Sequence, residues 1–139
     1  MPDVFADTSG LAHLLDPTQA PNKLASDIYR RTRQQGHRLV TTNYIVTELV
    51  ALLTSPFRLP RTSIIRLVGN LKASPYIEIF HIDTQIDEQA WQLLTKRPDK
   101  DWSLVDCSSF IVMQQQGIQE ALTTDHHFEQ AGFTRLLKP

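Results

Sequence analysis

At 139 residues the chain has room for one compact domain, spanning 1–139, and none for a second core. Hydrophobic residues supply 41% and charged residues 21%, a globular balance that excludes a disordered chain, while a net charge of −1 excludes a protein that coats nucleic acid by bulk electrostatics. The single cysteine, Cys107, cannot close an internal disulfide, which sets aside a stapled secreted scaffold and makes a reducing cytoplasm the expected location. The longest nearly apolar run, Tyr44 to Leu53, is broken by Thr47 and Glu48 and falls far short of the ~20 residues that span a bilayer, so no membrane helix is expected. Acids occupy the first residues where a signal peptide needs a basic segment, and Met1 is expected to be the mature start.

Short β-branched or apolar runs alternate with longer amphipathic ones. Val4-Phe5-Ala6 reads as a first strand and Ser9 to Leu15 as a short helix closed by Asp16-Pro17. Pro21 to Gln35 reads as a helix with proline in its first turn, Leu24 and Ile28 inward and Gly36 as its stop. Leu39-Val40-Thr41 is the second strand, and Asn43 is placed to cap an apolar helix to Leu53. Pro56 and Pro60 bracket a loop holding Phe57 and Arg58. Arg61 to Ser74 is amphipathic through Ile64, Ile65, Val68 and Leu71. Ile77 to Ile82 is a third strand and Thr84 to Thr95 a helix. Pro98 to Asp101 is a polar turn, Ser103 caps a helix to Gln116, Ala121 to Thr123 is a fourth strand, and Thr134 to Leu137 a candidate fifth. Parallel neighbours need crossover connections, so this alternation predicts an α/β domain: a mainly parallel central sheet of four to five strands with helices on both faces. Sites in such sheets lie beyond the carboxyl ends of the strands.

Two acids fall at those ends: Asp7 directly after the first strand and Asp125 in Thr123-Thr124-Asp125 after the fourth. Each alone is accounted for by a helix cap or an Asx turn. Glu48 lies on a helix that is apolar nearly all round, with Tyr44, Ile45, Ala51 and Leu52 at helical spacing, so it is expected to be desolvated and to need a partner, unless its helix edge opens to solvent. Asp106 stands three residues after Ser103, the spacing of a capping box, which by itself explains it. Taken together, four carboxylates converging without a cation would repel one another. They therefore point to a hard, oxygen-preferring ion, Mg²⁺ or Mn²⁺. The lone cysteine and the pair His126-His127 give no structural zinc set.

Four segments carry a resemblance: Val4-Phe5-Ala6-Asp7-Thr8-Ser9, Thr41-Thr42-Asn43-Tyr44-Ile45-Val46-Thr47-Glu48, Asp101-Trp102-Ser103-Leu104-Val105-Asp106-Cys107 and Leu122-Thr123-Thr124-Asp125-His126-His127-Phe128. In their order and spacing the chain resembles the PIN-domain ribonucleases, especially the VapC-like toxins of bacterial toxin–antitoxin pairs. The resemblance implies Asp7, Glu48, Asp106 and Asp125 as an acidic quartet, with Thr8 supporting the first acid. It also implies a cognate antitoxin that blocks the site, and a homodimer. His126 and His127 stand where relatives often carry a basic residue and a further acid, which leaves open whether His126 assists at the phosphate.

On that reading the chemistry is metal-assisted hydrolysis of an RNA phosphodiester, with Asp7, Asp106 and Asp125 holding Mg²⁺ or Mn²⁺ and Glu48 orienting or deprotonating water. Residues 1–74 hold nine Lys/Arg against five Asp/Glu, and residues 75–139 five against ten. The basic half supplies candidate phosphate contacts in Arg30, Arg31, Arg58, Arg61 and Arg66, which are otherwise solvated helix faces. Trp102, Tyr44 and Phe57 are candidates for stacking on bases, with packing in the core or under a loop as the alternative for Trp102 and Tyr44. No Gly-x-Ser-x-Gly elbow or phosphate loop is present, so nucleophilic catalysis is not expected, and Cys107 reads as a small buried side chain. The competing class is a PIN-like module without catalysis that binds RNA or protein and keeps its acids as caps.

Overall fold

The computed structural model describes residues 3–138. Five strands, β1 (Val4–Ala6), β2 (Leu39–Thr42), β3 (Ile77–Phe80), β4 (Glu120–Leu122) and β5 (Thr134–Arg135), form one all-parallel sheet in the order β3-β2-β1-β4-β5. The register sets Phe5 beside Val40 and Ala121, and Ala6 beside Leu122. Seven helices connect the strands: α1 (Thr8–Leu15), α2 (Pro21–Gln34), α3 (Asn43–Thr54), α4 (Arg61–Ala73), α5 (Thr84–Lys96), α6 (Leu104–Gln116) and α7 (His127–Gln130). Strands β1 to β3 are laid down in one direction. The chain then crosses back over β1 to add β4 and β5 on its other side. Right-handed crossovers therefore put α1–α4 on one face and α5–α7 on the other, in keeping with the packing of α1 on α2 and α3, α3 on α4, α5 on α6 and α6 on α7.

Local chemistry sets the helix ends. Asp7, in extended backbone, accepts from the Gly10 N–H and starts α1; Asp83 does the same for α5 through the Ile86 N–H. Helix α6 opens on the expected capping box, in which Ser103 and Asp106 each accept the other's backbone N–H, and ends on Gly117 at φ +68°. The cap of α3 is Thr42, whose Oγ1 accepts from the Ile45 N–H, and not Asn43. Asn43 is already helical and turns its Oδ1 to the Ile82 N–H, closing the end of β3. That long-range bond ends β3 at Phe80, two residues before its expected close. Strand β5 is likewise short, Thr134–Arg135, paired with Glu120 and Ala121, although Leu136 and Leu137 still donate their backbone N–H groups to the Ala121 and Thr123 carbonyls.

The apolar core lies against both faces of the sheet. Phe5 contacts Phe128, which meets Phe110 edge-on at 5.0 Å between ring centres, and Phe110 meets Trp102 in the same way at 5.1 Å. Ile28, Ile64, Val68 and Leu71 are buried as expected, whereas Leu24 and Ile65 point outward, Ile65 with 64% of its surface exposed. No helix among the described residues is long and apolar enough to cross a membrane.

Gly10 fixes how closely α1 approaches the sheet: a Cβ built there would sit 1.8 Å from the carbonyl oxygen of Leu122, at the end of β4. The obstacle is backbone and cannot rotate away. Gly10→Ala is expected to destabilise the domain by about 3 kcal/mol or more, read as a fall in the urea midpoint. A variant as stable as wild type would mean that α1 can shift off β4 at little cost.

Candidate active site

Strand order reverses between β1 and β4, and the crevice beyond their carboxyl ends is the expected place for a ligand. There a pocket of about 450 Å³ is lined by Asp7, Thr8, Glu48, Asp106, Asp125 and His126, among others, with no lysine or arginine on its wall. The structure thus brings the four sequence-derived acids together, from the end of β1, the middle of α3, the first turn of α6 and the turn after β4.

Asp7 is buried, and each of its oxygens is occupied. Oδ1 accepts from the Ser9 hydroxyl at 2.7 Å and the Gly10 N–H at 2.9 Å, and Oδ2 accepts from the Thr123 hydroxyl at 2.6 Å. Burial raises its pKa to about 6; the three donors oppose that rise and the nearby Asp125 carboxylate adds to it. Thr123 Oγ1 in turn accepts from the Asp125 N–H, and Ser9 Oγ from the Thr124 N–H, so β1 and β4 are tied together through two hydroxyls. Arg135 on β5 donates to the Thr124 carbonyl at 2.8 Å and holds the same turn from its other side.

Asp106 is half-buried. Its Oδ2 accepts from the Ser103 N–H at 3.0 Å and lies 3.1 Å from His127 Nδ1. Burial again raises the carboxyl above its ordinary range, with Asp125 adding to the effect and the Ser103 N–H and His127 opposing it. Asp125 Oδ1 accepts from the His127 N–H in an Asx turn. Two carboxyls raised by burial, with the Asp125 carboxylate acting on both and no lysine or arginine lining the pocket, form a donor set suited to a hard divalent cation.

Profile comparison matches the PIN domain over residues 4–134. The chain belongs to the PIN-domain family. The 23S rRNA-specific endonuclease VapC20 of Mycobacterium tuberculosis, from strains CDC 1551 and H37Rv alike, is 28% identical over 133 residues, covering 96% of this chain and 97% of the relative. The crystal structure of that VapC20, described as a Sarcin-Ricin loop cleaving toxin, matches with a TM-score of 0.79 at 27% identity, over 94% of this chain and 96% of the other. This PIN domain is thus a homologue of the VapC-type endoribonuclease toxins, and its family is metal-dependent.

Several expectations need correction. Glu48 is exposed: the side of α3 that carries Thr47, Glu48 and Ala51 faces solvent, and the partner of Glu48 is the Thr8 hydroxyl, which donates to Oε1. Trp102 is buried, with Phe110 against its ring, Arg97 over its face and Nε1 donating to Gln130; it anchors the loop before α6 and has no face for a base. Tyr44 is half-buried and donates its hydroxyl to Asp87. Arg31 lies beside Val4 and Glu120, the first residues of β1 and β4, and Arg30 lies beside Tyr76 just before β3. Both therefore stand at the amino edge of the sheet, opposite the acids. Arg58, Arg61 and Arg66 belong to the α3–α4 side, where Arg66 lines a groove with Phe57, Leu53 and Leu59.

Ser9 and Thr123 are not among the site residues expected from the sequence, where only the hydroxyls flanking the two strand-end acids, in Asp7-Thr8-Ser9 and Thr123-Thr124-Asp125, hint at them. His127, which stands with His126 at positions the family pattern marks, lies against Asp106.

The folded state binds the Asp7 proton more tightly than the unfolded chain does, with a pKa of about 6 against an ordinary 3.8. Ionising Asp7 therefore costs stability: the metal-free protein loses up to about 3 kcal/mol as pH rises from about 4 through 6, and the loss is complete above that. The stability of metal-free Asp7→Asn relative to wild type is expected to rise by up to about 3 kcal/mol between pH 4 and pH 7.5, by urea denaturation at the two pH values, whatever constant cost the amide pays opposite the Thr123 hydroxyl. A difference that does not change between the two pH values would show that the carboxylate is not penalised by burial.

Proposed function

We propose that this PIN domain is a Mg²⁺- or Mn²⁺-dependent endoribonuclease that acts as the toxin of a toxin–antitoxin pair on a structured ribosomal RNA. The observation that carries the reading is the convergence of Asp7, Glu48, Asp106 and Asp125 on one pocket at the reversal of strand order. Asp7, Asp106 and Asp125 would hold the ion. When bound, it lowers the pKa of water and offsets charge gathering on the phosphoryl oxygens.

The chain's own residues do the rest. Thr8 holds the Glu48 carboxylate at the pocket edge, open to solvent on its other side, where it orients a water and takes its proton as the water oxygen bonds to phosphorus. The bridging P–O bond breaks and the departing oxygen takes a proton from solvent. Ser9 and Thr123 keep Asp7 in one orientation. His126, exposed on the rim, is placed to contact a non-bridging phosphate oxygen.

Substrate placement falls to α3 and the segment after it. Leu52 lines the acid pocket and the next residue, Leu53, lines the groove shared by Phe57 and Arg66, so a strand leaving the pocket along α3 meets both. Phe57 is 43% exposed and is suited to stacking on an unpaired base. The target class follows from the VapC20 relative, a 23S rRNA-specific endonuclease. The antitoxin, the homodimer and the cytoplasmic location belong to the same reading and rest on family resemblance.

Purified protein is expected to cleave ribosomal RNA only with Mg²⁺ or Mn²⁺ present. Asp106→Asn, which keeps an acceptor for the Ser103 N–H, should lose about a hundredfold or more of the rate while remaining folded. The ion should also raise the melting temperature of wild type and not of Asp7→Asn. A folded Asp106→Asn that cleaves as fast as wild type, from a preparation free of other nucleases, would refute the assignment.

Arg58→Gln and Arg66→Gln should each weaken RNA binding and lower the slope of log affinity against log salt by about 1, with Arg31→Gln unchanged. Equal losses in all three variants would mean that RNA is gathered by net charge and not along α3.

A further inference from the structure

Asp125 belongs to a turn whose backbone is held one peptide unit at a time. A peptide unit is planar, so a bond to its carbonyl and a bond from its N–H together fix its tilt. In the unit joining Thr123 to Thr124, the carbonyl accepts from the Leu137 N–H at 3.2 Å and the N–H donates to the Ser9 hydroxyl at 3.1 Å. In the next unit, joining Thr124 to Asp125, the carbonyl accepts from Arg135 Nη1 at 2.8 Å and the N–H donates to Thr123 Oγ1 at 2.9 Å. The first unit leans partly on the backbone that follows β5. The second, which sets the Cα of Asp125, hangs on side chains at both ends.

Those two side chains lead to different places. Thr123 Oγ1 donates to Asp7 Oδ2 at 2.6 Å, so the Asp125 N–H is tied to the buried acid. Arg135 is tied to α7: its Nε lies 3.1 Å from Glu129 Oε1, and Lys138 Nζ lies 2.8 Å from the other oxygen of that carboxylate. The Arg135 side chain is only 18% exposed, and its rigid planar fork spends separate nitrogens on the carbonyl and on Glu129.

We propose that Arg135 is a positioning residue for the acid pocket: by holding the Thr124–Asp125 peptide from the side opposite Thr123, it keeps the Asp125 carboxylate on the pocket wall. The inference rests on the ion-holding role proposed for Asp125. Charge alone gives the opposite expectation. A guanidinium near a cation site repels the cation, so removing it would tighten ion binding if Arg135 acted through its charge. Because it acts through the peptide, removing it frees Asp125 and weakens binding.

The test compares Arg135→Gln, Arg135→Lys and Lys138→Gln in the full chain. In metal-free protein, hydrogen exchange read by NMR should speed up at least about tenfold at the Asp125 amide of Arg135→Gln while the amides of β2 keep their protection, which separates release of the turn from general unfolding. The Mg²⁺ concentration that gives half of the thermal stabilisation should rise about tenfold in Arg135→Gln, less in Arg135→Lys, and not at all in Lys138→Gln, which removes a cation from the same carboxylate. Arg135→Lys keeps a cation for Glu129 and carries the same comparison if Arg135→Gln does not fold. Three results would overturn the proposal: unchanged exchange at Asp125 in folded Arg135→Gln, a Mg²⁺ midpoint there equal to or below that of wild type, or an equal rise in Lys138→Gln. A wild type without any Mg²⁺ response would refute the ion site instead, and the exchange rates would still decide whether Arg135 holds the turn.

Discussion

Asp7 sits where the strand order reverses, largely shielded from water and held by three donors: the Ser9 hydroxyl, the Thr123 hydroxyl and the Gly10 N–H. Most of what surrounds the pocket answers to that one desolvated carboxylate. It caps α1, so the helix cannot start elsewhere. It takes a hydroxyl from the end of β4, so β1 and β4 must keep their register. It needs α1 pressed onto Leu122, which only a glycine at position 10 permits. A group whose ionised form is disfavoured in the bare fold is a group ready to gain from a cation, and the same burial that weakens the apo domain makes the pocket a binding site.

The other acids illustrate how stability and chemistry share atoms here. Asp106 is half of a capping box and also faces the pocket; Asp125 closes a turn and does the same. Reading either as structural or as functional is a false choice, because the bond that fixes the turn is the bond that aims the free lone pair. Glu48 differs. Its one partner is Thr8, from the helix that Asp7 caps, and it is the most open of the four.

Much of this was legible in the sequence, and the rest failed for physical reasons. Strand-end acids are visible because β-branched runs stop at them, and the parallel sheet follows from helices intervening between strands. Glu48 reads equally as desolvated or as standing on an open helix edge, because its helical neighbours are apolar and an apolar neighbour can line a cleft as readily as a core; Leu52 does, and the edge is open. Leu24 and Ile65 satisfy the helical period but fall on its edge, where tertiary packing alone decides. Thr42 and Asn43 are both good caps, and what separated them was a bond from Asn43 to Ile82, far along the chain. Arg30 and Arg31 share the charge of Arg58 and Arg66 but not their edge of the sheet, a distinction that only topology carries.

Cys107 follows Asp106 in the chain yet is wholly buried, and burial, with the neighbouring carboxylate, lifts its thiol to about 11. Near neutral pH only about one molecule in ten thousand then carries a thiolate, the form that reacts with alkylating agents and peroxides. The domain is therefore chemically silent toward such reagents while folded. A cysteine introduced at any exposed position becomes the sole labelling point, so fluorophores or spin probes can be attached singly without first removing the native sulfur.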